Sequence, residues 1–299
     1  MTASTVDLNG ASITAPRPKP NKRSRHKKMS PFSYVLLVVV AFLSFFPFYW
    51  MFVVASSSPD VIAQTPPSVV PGHNFWHEVK AVYDQVPFTR NMLNTLIVCL
   101  SVACAQVFFS SLAGFAFAKL NFFGKKWLLI TIIGTMMLPA QLGLVPLFKI
   151  LVNTFNWGDS LKALIVPAMV SAFGVFWMRQ VIDAQVPKEL LEAASIDGAS
   201  IPRIYRTMIV PAILPSAFVL GLFSFLASWN DYLMPLFILQ SPQNFTLQVA
   251  LNQLNTRPYG TDYNIVMAGS FMATAPLLIL FVFVGRRLVT GVMDGAVKG

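Results

Sequence analysis

Charge is scarce in this sequence. Asp, Glu, Lys and Arg make up 11% of its 299 residues, against about a quarter in a soluble domain. A water-facing surface cannot be built from so little charge, and the mean hydropathy of +0.62 points the same way. Cysteine is almost absent. Cys99 and Cys104 lie five apart in one apolar run, which turns them to different faces of a helix and argues against a bridge between them. The GxxxxGK[ST] phosphate loop is missing, as is HExxH, so the chain is not expected to hydrolyse ATP itself. Histidine occurs three times. His73 and His77 are four apart, but proline and glycine nearby oppose a helix and no third ligand is near. A structural zinc site takes four ligands, so both read as loop histidines, with no metal and no cofactor expected on this chain. No catalytic cluster appears, which disfavours a membrane-embedded enzyme.

What the sequence has instead is long apolar runs. A bilayer-crossing helix needs roughly 20 apolar residues. Six such spans are predicted, at 33–55, 93–118, 127–148, 161–178, 209–229 and 265–284. The stretch 209–239 is too long for one crossing and is broken at Trp229-Asn230-Asp231, before Pro235. The fourth span is short and carries Pro167, Ser171 and Gly174. The expected class is therefore all-α, a polytopic membrane protein with six transmembrane helices.

The net charge of +10 could suggest nucleic acid, but its placement argues otherwise. Seven of the 22 Lys and Arg precede residue 33. With the N-terminus inside, 17 basic residues fall on inside segments and five outside. This places both termini in the cytoplasm and makes no nucleic-acid partner expected. Residues 1–32 are read as a disordered basic tail, 33–284 as the membrane domain and 285–299 as a C-terminal cytoplasmic tail. The tail PRPKPNKRSRHKK can also touch anionic lipid heads. The outside segment 56–90 holds the turn-forming stretches SSSPD and TPPSVVPG.

Several residues are candidates for a solute route. Asp231 is an acid near membrane depth, where acids are expensive and tend to be functional; an interfacial position at the end of a span explains it equally. Trp229 suits an interfacial anchor or a stacking face. Gln141, Trp229, Asn230 and Asp231 form the candidate substrate pathway. Asn94, Gln106, Gln141 and Ser171 lie within spans, and hydrogen bonds between helices account for each. A permeating sugar would need such groups too, because its hydroxyls lose water. Prolines 139, 146, 211, 215 and 276 bend their helices.

One cytoplasmic segment interrupts the apolar pattern: PKELLEAASIDGASIPRIYRTMIVP, residues 187–211. Pro187 suits a first helical turn, Glu189 and Glu192 favour its positive end, and Gly198 is a left-handed stop. Ser200 can cap a second helix with Pro202 in its first turn. The expected unit is helix, glycine turn, and a second helix fused to span five. A loop lying on the lipid surface has the same look.

EAASIDGASIPRIYRTMIVP resembles the EAA loop of the membrane subunits of binding-protein-dependent ABC importers. Glu192, Ala193 and Ala194 lead by three residues to Gly198, and by nine more to Met208-Ile209-Val210-Pro211. Met208 and Val210 stand where the family has Ile and Leu. SSLAGFAFAKLNFFGKKW, MMLPAQLGLVPLF, SWNDYLMPL and GRRLVTGVMDGAVKG resemble its carbohydrate branch, so the likeness covers residues 32–299. It is nearest to the maltose-type second permease subunit, and within that group to cellobiose and β-glucoside permeases. The resemblance implies a type I ABC importer permease fold in a bacterial cell membrane. It implies a second permease subunit, two cytosolic ATPase copies using ATP and Mg, and an extracytoplasmic sugar-binding protein. It implies that Glu192, Ala193, Ala194, Asp197, Gly198 and Pro211 couple to the ATPase, and that residues around Gly295–Gly299 reach the ATPase dimer. The implied cargo is a di- or oligosaccharide. Another polar solute such as glycerol 3-phosphate, and a stand-alone secondary transporter, are the alternatives.

Overall fold

The computed structural model describes residues 30–58, 64, 68–255 and 262–296. The basic lead before Ser30, most of the turn-forming stretches after Ser58, and residues 297–299 lie outside the described residues. Among those described, every regular element is helical. The chain divides into two units, one ending at Pro47 and one running from Phe48 onward.

The first unit holds the start of α1 (Pro31–Ser56), where Pro31 sits in the first turn and its missing N–H leaves no bond unmade. The second unit holds the rest of the fold. After α1 come α2 (Phe75–Gln85), α3 (Phe88–Lys119) and α4 (Lys125–Thr135), then α5 (Leu144–Lys149), α6 (Lys162–Ala168) and α7 (Ala172–Gln185). The charged segment gives α8 (Lys188–Ile196) and α9 (Ile201–Ile204). The chain ends with α10 (Val210–Trp229), α11 (Leu233–Ile238), α12 (Leu247–Asn255) and α13 (Tyr263–Ala296).

Five helical stretches among the described residues are long and apolar enough to cross a bilayer: 31–56, 88–119, 162–185, 201–229 and 263–283. The remaining predicted crossing, 127–148, is not one helix. α4 ends at Thr135, four residues before Pro139, where the proline ring would strike a helical carbonyl. Pro139 itself is extended, at φ −59° and ψ 125°. The chain resumes through a 3-10 turn at Ala140–Gly143, α5, and a π turn at Ile150–Thr154. The crossing predicted at 161–178 is also broken, between Ala168 and Ala172. The last helix runs past residue 285 into the predicted C-terminal tail, with no proline after Pro276 to break it. The predicted loop 56–90 contains α2, and His77 lies on that helix rather than in a loop. Phe75, Val82 and neighbours give it an apolar face that packs on the core.

α3 and α10 run through two apolar cores. Near the start of α3, Phe88, Val98, Cys99 and Val102 pack with Phe225, Trp229, Leu247 and Leu254. Near its end, Phe115 and Ala118 pack with Met178, Ile182, Ile204, Ile209 and Leu220. Two glycines let α3 and α7 touch. A Cβ on Gly114 would lie 2.7 Å from Met178 Cβ, and one on Gly174 would clash with the Ser110 and Ser171 hydroxyls. Small residues at such crossings are how membrane helices gain packing without a hydrophobic drive. Cys99 is buried and Cys104 exposed, as expected of residues on different faces.

Candidate functional site: a helix–turn–helix fused to a span

The charged segment folds as a helix stopped by one residue. Pro187 stands just outside α8, extended at ψ 147°, so Lys188 opens the helix one residue later than expected. Glu189 lies in the first turn, facing the positive helix end. At the far end the Ala199 N–H donates to Ala194 O at 2.9 Å and the Gly198 N–H to Ser195 O at 3.1 Å. This pair of bonds is a Schellman stop, which requires a left-handed residue at Gly198, and its φ is +77°. No atom lies within 4 Å of where a Cβ would stand. The glycine is therefore needed for backbone shape, with space to spare.

After the turn, Ser200 is extended and leads α9, but its side chain caps nothing. Its carbonyl accepts from the Ile204 N–H at 2.9 Å. Pro202 occupies the first turn. The helix then widens into a π turn at Tyr205–Ile209 and continues as α10, with Pro211 at its start. Ile204 and Ile209 are buried in the core beside α7, and Tyr205 packs against it. The Tyr205 hydroxyl shares a hydrogen bond with Ser111 at 2.6 Å. The root of the unit is thus fixed and its tip free.

The tip is exposed at Glu192, Ala193, Asp197 and Gly198, and Ala194 is half-buried. Ile196 is 86% exposed, with Leu190 and Ile201 also standing out. Acids, small residues and a large uncovered aliphatic side chain share one rigid projection. Beside it lies a cationic zone. Lys119 pairs with Asp183 at 3.4 Å. Burial and the neighbouring Lys188 and Arg179 cations push the Lys125 pKa down.

The predicted solute-route residues are placed differently. Trp229 is 2% exposed and stacks on Phe225, so its ring is core. Asn230 donates to Leu226 O at 2.8 Å, closing α10. Asp231 lies just before α11, its carboxylate beside the Leu233 and Met234 N–H groups. Gln141 is exposed on the 3-10 turn.

A polar clamp, of whose members only Asn94 was expected to bond between elements, closes the end of the fold away from Gly198. Asn91 Nδ2 donates to Pro242 O and Phe245 O at 2.8 and 3.0 Å. Asn94 Nδ2 donates to Gln243 O and Phe245 O at 2.9 and 3.1 Å. The Leu247 N–H donates to Thr95 Oγ1 at 2.8 Å. Asp159, at φ +52°, accepts from the Gln240 and Ser241 N–H groups at 2.9 and 3.0 Å and from the Ser241 hydroxyl. Desolvation opposes the Asp159 carboxylate, but these donors outweigh it and hold its pKa below the usual range. The signal available was the spacing of Asn91, Asn94 and Thr95, which places three polar side chains on one helix face.

Comparisons with known proteins agree with this frame. The family described as binding-protein-dependent transport system inner membrane component matches residues 106–293. An arabinooligosaccharides transport system permease protein of Halalkalibacterium halodurans is 36% identical over 211 residues, covering 69% of this chain and 73% of that one. The sn-glycerol-3-phosphate transport system permease protein of Salmonella choleraesuis is 29% identical over 270 residues, covering 88% and 95%. Among solved structures, a chain of a bacterial ABC transporter involved in the import of the acidic polysaccharide alginate has a TM-score of 0.74 at 21% identity. It covers 85% of this chain and 94% of that one. That structure supports the fold, and the glycine-stopped, exposed projection rooted beside α7 lies inside the matched region. The chain belongs to the family of binding-protein-dependent transport system inner membrane components.

Proposed function

We propose that this chain is a membrane-spanning permease subunit of an ATP-driven importer for a di- or oligosaccharide, and that its projection couples it to an ATPase on a separate chain. The observation that carries the coupling role is the exposed α8 tip, held by the Gly198 turn and joined to a span. An aliphatic side chain as uncovered as Ile196 suits a cleft in another protein. Glu192 and Asp197 supply acids for basic groups there, and Ala193 and Ala194 allow close approach. The charge distribution puts this tip and both termini in the cytoplasm. ATP and Mg act on the partner ATPase, present in two copies.

A second permease subunit completes the pathway. An apolar groove of about 820 Å³ runs between α3 and α10, lined by residues such as Leu100, Phe108, Leu214 and Phe218. A sugar needs donors and acceptors for its hydroxyls, so this groove suits a helix of the second subunit. Oligosaccharide cargo rests on the arabinooligosaccharide relatives, and an extracytoplasmic sugar-binding protein would deliver it.

The test is uptake by proteoliposomes holding this chain with its co-assembling permease and ATPase. Labelled oligosaccharide should enter only with ATP inside and binding protein outside. Sugar movement by the purified chain alone, without ATP, would sink the importer reading and favour a stand-alone transporter.

A further inference from the structure

The span 162–185 is broken inside the apolar zone, and the break is built. Met169 and Val170 leave the helix, and Ser171 turns extended at φ −128° and ψ 141°. A break at this depth exposes carbonyls at the end of α6 and N–H groups at the start of α7, with no water to satisfy them. Protein groups satisfy them instead. The Gly174 N–H donates to Ser171 Oγ at 3.0 Å. Gln106, near the middle of α3, donates from Nε2 to Ala168 O at 2.8 Å. Because a carbonyl only accepts, this contact fixes the amide orientation and turns Oε1 the other way. There Oε1 accepts from Ser224 on α10 at 2.6 Å and from Ser171 at 3.3 Å. One side chain thus ties α3, both sides of the break, and α10.

The two halves of the span are held differently. Below the break, α7 is locked to α3 at Gly174 and Gly114, where no Cβ would fit. Above it, α6 follows the loop of Asp159, which is clamped to Gln240 and Ser241. One turn below Gln106, Ser110 Oγ is fully buried and has no partner. Buried hydroxyls left unbonded are uncommon, and this one lies at the Gly174 crossing beside the break. The two helices meeting at Gln106 are also the two that flank the projection: α7 enters it and α10 leaves it.

We propose that the break between α6 and α7 is a joint that bends during transport, with Gln106 as the positioning residue that latches it. The inference rests on the importer reading above. Movement of the projection shifts α7 and α10 together, and Gln106 is where both shifts reach the break.

The experiment uses the assembled importer in lipid, with spin labels at Val166 on α6 and Ala184 on α7. Their separation is measured without nucleotide and in a nucleotide-trapped state. The latched joint predicts two distances in the wild type. In Gln106→Met, which keeps length and loses both polar atoms, it predicts one broad distribution in both states. Ser224→Ala, which leaves the Ala168 bond in place, should keep the nucleotide-free distance and lose the shift. Transport per ATP hydrolysed should fall at least fivefold in Gln106→Met, with assembly and basal ATPase retained. An unchanged distance in a wild-type importer that transports would show a rigid span and overturn the joint alone. A proportional fall of assembly, ATPase and uptake in Gln106→Met would overturn its positioning role. Failure of wild-type uptake would instead indict the importer reading.

Discussion

Gly198 separates two explanations for a glycine in a loop proposed to dock on another protein. One is conformational, since φ is +77°. The other is spatial, with a partner pressing too close for any side chain. Within this chain no atom lies within 4 Å of a Cβ there, so the structure itself supplies only the first. An L-residue with a Cβ in the left-handed region costs about 1–2 kcal/mol, which is roughly a factor of 5–30 in the population holding the turn. Asn tolerates this region better than Ala, and a β-branched residue tolerates it worst. The expected order of binding-protein-stimulated ATPase activity is therefore Gly, Asn, Ala, Val. Gly198→Ala should lose about 5–30-fold, Gly198→Asn less, and Gly198→Val the most, with membrane insertion unchanged in all three. A spatial requirement reverses the middle of the series, because Asn is larger than Ala. Gly198→Ala outperforming Gly198→Asn would refute the argument that the turn's shape is what the residue provides.

Ile196→Ser should weaken ATPase association measured by pull-down titration by about tenfold or more, since burying such a side chain is worth about 1.5–3 kcal/mol. Asp159→Asn should lower thermal stability at pH 7 by about 2 kcal/mol through lost charge-assisted bonds. A depressed native pKa stabilises above the unfolded value and the effect fades as pH falls through the native one, so wild type and variant should converge in acid below about pH 4. Glu78 behaves oppositely. It is 7% exposed, and burial first, then Asp262, push its pKa up, with His77 opposing. The ionised acid therefore destabilises the fold above its native pKa, and the penalty disappears below the unfolded value near 4.5. Glu78→Gln should melt higher than wild type at pH 7 in detergent, with the gap closing toward pH 4.5.

What the sequence made legible was whatever depends on near neighbours. The apolar runs located α1 (Pro31–Ser56), α3 (Phe88–Lys119) and α10 (Val210–Trp229) to within about five residues, because a span is defined by its own composition. The stop at Gly198 was legible because a Schellman turn is made within six residues. The break at Pro139 was legible in principle, since the proline acts on the carbonyl four residues back; the apolar composition of 127–148 hid it. Hydrogen bonding of Asn94, Gln106 and Ser171 between elements was anticipated as a class. The partners were not, because Asn91 meets Phe245 across 154 positions and no local pattern encodes that pairing. Trp229 shows the same limit from the other side. An aromatic beside two polar residues reads as a surface feature, and only packing against Phe225 places it in the core.

The segment from Glu192 to Pro211 is proposed as a mechanical unit, and Pro211 bears on how it could be one. Proline inside a helix removes one bond and drives its ring at the carbonyl four residues earlier, here Thr207. That would ordinarily kink the rod between the projection and the membrane. The π turn at Tyr205–Ile209 absorbs the fault: the Val210 N–H reaches back five residues to Tyr205 O, and the wider turn makes room for the ring. The helical stretch 201–229 therefore stays continuous, with Tyr205 held by Ser111 at its root and Ser224 held by Gln106 further along. On the proposed coupling role, a push on α8 would meet no loose hinge at Pro211, while Pro215 lies further along inside α10. It would pass through the glycine turn into α9 and along α10 to the amide that also holds the break in the neighbouring span. Softening that rod should then uncouple without unfolding. Pro211→Ala, which removes the reason for the π turn, should let the helix relax to a regular register and rotate Ser224 away from Gln106. Transport per ATP would fall while docking of the ATPase is unchanged. Equal loss of docking and transport would place the effect at the tip instead.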